Sequence, residues 1–184
     1  GAAARARIMD DFPPLDAIAT LALETTASDG TRKLLLRLSD GLEVETVLIP
    51  PLPPTGRKVA SNARARTTLC ISSQVGCRQG CAFCATGRMG RIRNLNADEI
   101  LAQAHLAKRV AAANGMPPLA NIVFMGMGEP ADNVDNVRLA VDCLVDPKRF
   151  GFSRQSVVVS TVAPSPEVFE TLASTDVVLA WSLH

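Results

Sequence analysis

Apolar residues recur in two short runs of the amino-terminal third of the chain, and these runs predict a β-hairpin. One strand is expected over 33–38 and the other over 43–49. Asp40-Gly41, which lies between the two runs, is typical of a type I′ turn. Successive side chains of a strand point to opposite faces, so Glu45 is expected on the polar face of the second strand. For an isolated glutamate this favours a solvated surface carboxylate.

Short apolar runs then alternate with helical patterns along the rest of the chain. The predicted order is strand 67–73, a helix between Asn96 and Asn114, strand 121–125, helix 133–144, strand 156–161, helix 166–173 and strand 177–183. Strands that alternate with helices pair in parallel, so the fold class is α/β. Four parallel strands do not close a barrel. We therefore expect a partial (β/α) barrel, about its first half, preceded by a small β-hairpin region.

In two segments the hydrophobic residues recur with no clear helical or strand period. Residues 1–31 are rich in alanine and are expected to form at most a partial element. Residues 50–66 are rich in proline and then basic, which is typical of a surface loop, whose cations either contact phosphates or keep the loop soluble. We therefore predict an amino-terminal hairpin region with its linker over 1–66 and an incomplete barrel over 67–184.

The composition is that of a globular protein and does not identify a partner. The chain has 184 residues, 47% of them hydrophobic, which is enough for one globular core. Its net charge of +1 creates no general attraction to nucleic acid or to a membrane, and no apolar run is long enough to span a bilayer. The first residues lack the apolar core of a secretory signal, although a remnant of an organelle transit peptide fits them. We expect a cytoplasmic protein, or one from an organelle such as a plastid.

The strongest chemical signal is a set of three cysteines, Cys77, Cys81 and Cys84, with the spacing C-x3-C-x2-C. Three thiolates on one loop can hold three irons of a [4Fe–4S] cluster and leave the fourth iron open. The amino and carboxylate groups of S-adenosylmethionine (SAM) can chelate that open iron, and Phe83 could shield one side of the cluster. The alternative is a tetrahedral zinc site that adds Cys70. Zinc would not need the βα scaffold, so the whole pattern favours iron.

Other polar groups stand at the carboxyl ends of the predicted strands, where sites form in α/β barrels. Arg88, Arg91 and Arg93 lie beside the cysteines and suit a polyanionic substrate, or else balance an anionic cluster. His105 and Cys143 fall inside predicted helices and are expected to be packing or surface residues. The remaining groups at strand ends are Gly128, Glu129, Ser160, Ser182, Leu183 and His184.

Several motifs resemble the RlmN/Cfr family of radical-SAM methyltransferases, which modify C2 or C8 of an adenosine in 23S ribosomal RNA and, for RlmN, also act on transfer RNA. The likeness runs from about 31 to 184. FMGMGEP and VETV fit the RlmN side, whereas CATG also occurs in Cfr and in plant or algal RlmN-like proteins. The motifs are CISSQVGCRQGCAFCATG (70–87), RNLNADEI (93–100), FMGMGEP (124–130), VETV (44–47), VST (159–161) and SLH (182–184).

The resemblance implies a role for each matching residue. Cys77, Cys81 and Cys84 would hold the [4Fe–4S] cluster. Glu45 would accept a proton, and Cys70 would resolve a covalent protein–RNA intermediate; without the resemblance, a buried structural thiol is the better interpretation of Cys70. The SAM contacts would be Gly128, Glu129, Ser160, Ser182, Leu183 and His184. The implied partners are 23S rRNA, for an RlmN-like enzyme also tRNA, and an electron donor such as flavodoxin or ferredoxin, with no membrane and with a monomeric enzyme.

The chain also departs from this family. The family's methyl-carrying cysteine lies beyond position 184, the amino-terminal RNA-binding domain is largely absent, and STVA (160–163) replaces the common STVG. We therefore expect a fragment that holds a cluster and part of a SAM site but does not methylate RNA alone. The alternatives are a Cfr-like C8 methyltransferase, a different radical-SAM enzyme acting on a small molecule, and a non-catalytic zinc module that binds RNA.

Overall fold

The computed structural model describes residues 14–51 and 65–183. The strands are β1 (Ala19–Thr26), β2 (Arg32–Leu38), β3 (Glu43–Ile49), β4 (Thr67–Cys70), β5 (Gln74–Cys77), β6 (Gly90–Asn94), β7 (Leu119–Phe124), β8 (Val157–Thr161) and β9 (Val178–Trp181). The α-helices are α1 (Leu15–Ile18), α2 (Ala97–Ala113), α3 (Val134–Val145) and α4 (Pro166–Ala173). Short 3₁₀ turns cover Thr86–Arg88, Pro130–Asn133 and Arg154–Ser156. Across the described ranges, no helix is long and apolar enough to cross a membrane.

Seven strands form one sheet in the order β1-β2-β3-β4-β7-β8-β9. The first four pair antiparallel, and β4, β7, β8 and β9 pair in parallel, as the βα alternation predicts. The predicted hairpin is confirmed as β2 and β3. It is not a separate layer, because Val47 of β3 lies opposite Cys70 of β4. The predicted boundary at residue 66 thus falls between two paired strands, and most of the predicted linker (52–64) lies outside the described residues.

Two expectations about local structure were wrong. Residues 19–26, expected within a partial element, form the full strand β1 that pairs with β2. The cysteine segment, expected as a single loop, is framed by the antiparallel pair of β5 and β6. Glycine permits this pairing, since a Cβ on Gly76 would lie 1.9 Å from the carbonyl oxygen of Gly90. Short strands that contain glycine and arginine carry too little alternation to be recognised from the sequence.

The core lies between the sheet and the helices. Leu69, Ile122, Phe124 and Val159 point into it and are at most 2% exposed. Helix α2 packs on this side and begins as predicted, with a capping box in which Asn96 accepts from the Glu99 N–H and Glu99 accepts from the Asn96 N–H. We call this helix-covered side of the sheet the covered face, and its other side the open face.

Candidate active site

The strand register gathers four of the predicted site residues on the open face. Val47, Cys70, Val123 and Val158 are successive cross-strand partners and therefore share one face. Residues two positions away on the same strand lie on that face too. The predicted site residues placed there are Glu45, Cys70, Ser160 and Ser182. The hydroxyl oxygens of the two serines are 2.9 Å apart, which joins the ends of β8 and β9.

Glu45 lies beside the segment that leads to the cysteines. Its side chain is 45% exposed, and one carboxylate oxygen is 3.0 Å from Nζ of Lys33. Its backbone carbonyl accepts a 2.6 Å hydrogen bond from the Ser72 hydroxyl, which in turn accepts from the Met127 N–H at 2.8 Å. The strand that carries Glu45 is thus fixed to the turns after β4 and β7, while its carboxylate stays open to a substrate.

Cys70 is the better shielded of the two predicted catalytic residues. It ends β4 and is largely buried, and this burial raises the pKa of its thiol. A Met125 backbone hydrogen bond opposes the shift but does not cancel it. The thiol is therefore held in its protonated, less nucleophilic form at neutral pH.

A buried polar network supports this side of the site, and sequence reasoning missed its central residue. Gln103 of α2 is fully buried, and its amide oxygen accepts from the Thr46 hydroxyl at 2.7 Å and from the Ser72 N–H at 2.8 Å. Its amide nitrogen donates to the Ser72 carbonyl at 2.9 Å. A glutamine on the apolar side of a helix, level with Ile100 and Ala107, is the signal that would have found it.

The three cluster cysteines follow one another around the β5–β6 connection. Cys77 ends β5 and is buried, whereas Cys81 and Cys84 are partly exposed. The Cys84 N–H donates to the Cys81 carbonyl at 3.0 Å, which closes a tight turn. Burial raises the pKa of the Cys77 thiol, and the nearby acidic groups of Glu129, Cys84 and Asp132 add to that shift.

This donor set fits an iron–sulfur cluster in its chemistry. Three thiols within eight residues match the ligand type that such clusters use. Within residues 14–51 and 65–183, however, no three cysteine, histidine or acidic side chains converge enough to hold a metal ion. The role of the three thiols as cluster ligands therefore rests on their spacing and their chemistry.

Gly128 and Glu129 occupy the turn after β7. Gly128 has φ of +98°, and a Cβ there would lie 2.6 Å from Cβ of Gln74, so only glycine permits this approach. The Glu129 carboxylate is 5% exposed and accepts hydrogen bonds from the Ala131 N–H, the Val162 N–H and the Thr161 hydroxyl. These contacts tie the turn after β7 to the end of β8. The SAM contacts of Gly128 and Glu129 stay predictions.

The arginines near the cysteines divide into two groups. Arg93 forms ion pairs with Glu99 and Asp40, and Arg78 forms one with Asp132, so the charge of each is already balanced by a carboxylate of this chain. Arg88 and Arg91 are exposed, and neither forms an ion pair within the described part of the chain. The predicted basic patch therefore keeps two of its three members.

The remaining predictions concern the carboxyl-terminal end and two helical residues. Leu183 is 72% exposed beyond β9, and His184 lies outside the described residues. His105 is 3.1 Å from the Asp16 carboxylate on the surface, and Cys143 is half-buried against the core. Both positions agree with a packing or surface role.

The chain is similar in sequence to RNA methyltransferases. The chain is 48% identical over 163 residues to the dual-specificity RNA methyltransferase RlmN of Geotalea uraniireducens, a match that covers 89% of this chain and 42% of that protein. It is 43% identical over 176 residues to a probable RNA methyltransferase of Sorangium cellulosum, covering 96% of this chain and 40% of the relative. The chain thus spans about two fifths of the length of these curated relatives.

The fold has a solved counterpart. The crystal structure of a radical SAM methyltransferase from Sphaerobacter thermophilus matches with a TM-score of 0.74 and 38% sequence identity, over 90% of this chain and 47% of that one. The predicted partial barrel agrees with this coverage. A family model described as "Radical SAM superfamily" matches residues 71–183. Because this match takes in the whole cysteine connection and more than half of the chain, the chain belongs to the radical SAM superfamily.

Proposed function

We propose that the chain is part of an RlmN-like radical-SAM methyltransferase that modifies C2 of adenine in 23S rRNA and in tRNA. The observation that carries the proposal is the shared open face. Glu45, Cys70, Ser160 and Ser182 lie on it, and the three-cysteine connection begins a few residues after Cys70. The RNA methyltransferase names of the relatives support RNA as the substrate class.

In this proposal Cys77, Cys81 and Cys84 hold a [4Fe–4S] cluster with SAM beside it. When bound, the cluster supplies the electron for reductive cleavage of SAM, which opens the radical route to an unreactive aromatic carbon. The serine hydroxyls at the ends of β8 and β9 bind SAM. Glu129 positions the turn after β7 by holding the end of β8.

Glu45 and Cys70 complete the reaction. The Glu45 carboxylate is half-exposed on the open face, so it can accept a proton from the substrate carbon. The Cys70 thiolate would resolve the covalent link between protein and RNA by attacking the cysteine sulfur that carries the RNA: an S–S bond forms while the S–C bond breaks, and the electron pair of the broken bond stays on the RNA carbon. Burial of Cys70 keeps its thiol protonated before that step, which protects it from reaction with solvent oxidants. The proposed setting is the cytoplasm, with flavodoxin or ferredoxin as the electron donor.

A chimera tests the function, since the chain spans only part of its relatives. Residues 31–183 replace the matching segment of the Geotalea uraniireducens RlmN, and the chimera is expressed in a bacterium that lacks its own RlmN. We expect 2-methyladenosine in 23S rRNA and tRNA, measured by mass spectrometry of nucleosides. The matched control carries Cys81→Ser and should form none.

Two outcomes would contradict the proposal. If 8-methyladenosine appears instead, the chain belongs with the Cfr-like alternative. If the soluble chimera binds iron but modifies no adenosine, these residues do not support RNA methylation. Iron content is measured on the same preparation, so that a misfolded chimera is recognised.

A further inference from the structure

The carboxylate of Asp132 lies buried on the 3₁₀ turn Pro130–Asn133, and the proposed chemistry gives it no role. Its side chain is 2% exposed. Arg78 donates to both carboxylate oxygens, with its Nε at 2.8 Å, and Gln79 donates from Nε2 at 2.9 Å. These two donors are the first residues of the β5–β6 connection (78–89), which carries two of the three cluster cysteines. One buried carboxylate therefore binds the start of that connection.

The backbone of Asp132 binds two further parts of the site. Its carbonyl accepts a 2.9 Å hydrogen bond from the side-chain amide of Asn94, at the end of β6. Its N–H donates to the Glu129 carbonyl at 3.0 Å, within the turn that follows β7. Asp132 therefore contacts the β5–β6 connection, strand β6 and the turn with the predicted SAM contacts at the same time.

A second buried side chain joins the same elements at the base of the β5–β6 hairpin. Gln74, the first residue of β5, is fully buried and donates to the Asn94 side-chain oxygen at 2.7 Å. Its own amide oxygen accepts from the Glu129 N–H at 2.9 Å. The base of the hairpin is thus fixed independently of the Asp132 carboxylate. Loss of that carboxylate should release the connection without detaching the hairpin.

The contacts of Asp132 contribute more to position than to stability. A buried carboxylate loses its hydration, and pairing with a mostly exposed arginine returns little of that cost. Arg78 is 60% exposed, so it would be solvated without a partner. A guanidinium that donates through two nitrogens does, however, fix the direction from which it meets a carboxylate. The ion pair therefore holds the connection in one orientation.

We propose that Asp132 is a positioning residue, which fixes the β5–β6 connection against the turn that carries Glu129, so that the cluster thiols and the predicted SAM contacts lie side by side. The inference rests on the proposed function. Asp132 acts through Arg78 and Gln79 and takes no part in a covalent or redox step. It lies outside the motifs that the sequence analysis singled out, since FMGMGEP ends at residue 130.

The test compares the wild type with Asp132→Asn, which keeps the size of the side chain but turns an amide donor towards the donors of the connection. The N–H groups of Cys84, Arg88 and Met89 are hydrogen-bonded within the connection and report its opening. Hydrogen–deuterium exchange, followed by mass spectrometry on the iron-free chain, should become about tenfold faster over 78–89. The Tm should fall by less than about 3 °C, because the released arginine is solvated.

Two readouts on the cluster-loaded chain separate positioning from general stability. Asp132→Asn should lose iron to the chelator EDTA about tenfold faster than the wild type, because its ligands are held less firmly. The electron paramagnetic resonance spectrum of the reduced cluster should respond to SAM only at a several-fold higher SAM concentration. A residue that served stability alone would lower the Tm and move neither readout.

A second variant approaches the same contact from its exposed side. Arg78→Gln should also speed exchange over 78–89 and iron loss. The matched control Arg109→Gln breaks an ion pair with Asp16 on α2, where the arginine is 62% exposed, and should leave both rates at the wild-type value. Arg78→Gln combined with Asp132→Asn should lose little more than either single variant, because the two side chains act through one contact.

Three results would overturn the inference. Unchanged exchange over 78–89 in Asp132→Asn would show that the carboxylate does not hold the connection. Exchange that rises equally in β7 and β8, with a large fall in Tm, would make Asp132 a residue of general stability. Faster exchange with unchanged iron loss and an unchanged SAM response would separate the contact from the cluster site. A wild-type chain that takes up no iron would contradict the proposed function instead, and exchange in the iron-free chain would still decide whether Asp132 fixes the connection.

Discussion

The two faces of the seven-stranded sheet are formed by the same strands but have different roles, one in the core and one in the site. On β8, Val157 and Val159 are fully buried against the helices, whereas their neighbours Val158 and Ser160 are only partly covered. On β4, Leu69 is fully buried, and Cys70 points to the open face. Adjacent residues therefore have separate roles, since alternate side chains of a strand serve either the core or the site.

A side chain on the covered face also supports the site. Gln103 belongs to a helix on the covered face, yet it holds the Ser72 turn that anchors the backbone of Glu45. The open face is therefore not independent of the core, and the two are joined by buried hydrogen bonds. A substitution on one face should therefore leave the other face unchanged, except at residues such as Gln103 that link the two.

The largest loss of stability is expected from a substitution that removes the hydrogen bonds of Gln103. Gln103→Leu keeps the volume but leaves the Thr46 hydroxyl and both backbone groups of Ser72 without their partner. We expect a loss of about 3 kcal/mol in the free energy of unfolding, because each orphaned buried group costs about 1–3 kcal/mol. The control Gln155→Leu makes the same change at an exposed position and should shift stability by less than about 0.5 kcal/mol. Urea denaturation measures both, and equal losses would show that the network is not needed.

A neighbouring pair of valines tests the two faces directly. Val159→Ala empties part of the core and should cost about 2–3 kcal/mol, whereas Val158→Ala on the open face should cost less than about 1 kcal/mol. The difference corresponds to a lower Tm by about 4–8 °C for the core variant. Thermal unfolding followed by circular dichroism measures it. Equal shifts for the two variants would mean that both faces are buried.

Cys70 points to the open face, yet its thiol is shielded from solvent. Burial raises the pKa of its thiol, so less thiolate is present at pH 8 than in the unfolded chain. Alkylation by iodoacetamide should therefore be slower in the folded protein than in urea, and its rate should rise only at higher pH. Peptide mapping by mass spectrometry gives the rate at Cys70 alone. A folded-state rate equal to that in urea would contradict the shielding.

The smallest expected effect concerns the ion pair between Lys33 and Glu45. Both side chains are about half exposed, so Lys33→Ala should change the free energy of unfolding by less than about 0.5 kcal/mol. Urea denaturation of the variant at two salt concentrations checks this value. A loss above about 1 kcal/mol would mean that the carboxylate is held more firmly than its exposure implies.

The sequence predicted the fold well where one pattern dominates. The apolar runs at β7 and β8 and the capping box at Asn96 appear as expected. The hairpin turn lies at the predicted place, but the prediction of type I′ was wrong: only Gly41 has a positive φ, and its N–H donates to the Leu38 carbonyl, which centres the turn on Ser39-Asp40. Strand β1 was missed because its burial depends on pairing with β2, which no local pattern encodes. The β5–β6 pair was missed because it forms through the close approach of Gly76 and Gly90, a tertiary contact.

The site was predictable in its residue types but not in its contacts. The cysteine spacing and the strand-end serines were evident from the sequence. The engagement of Arg93 by Glu99 and Asp40 was not, since the partners are separated along the chain or lie on another element. The three protein donors around Glu129 likewise depend on how β7 and β8 come together.

The most direct measurement is the iron and sulfide content of the chain after anaerobic reconstitution. The wild type should take up roughly four irons per chain, and Cys77→Ser, Cys81→Ser and Cys84→Ser should each lose most of them. Cys70→Ser and Cys143→Ser should keep the wild-type content and the brown colour. A colourless protein with about one zinc per chain, lost in Cys70→Ser as in the other three variants, would contradict the account.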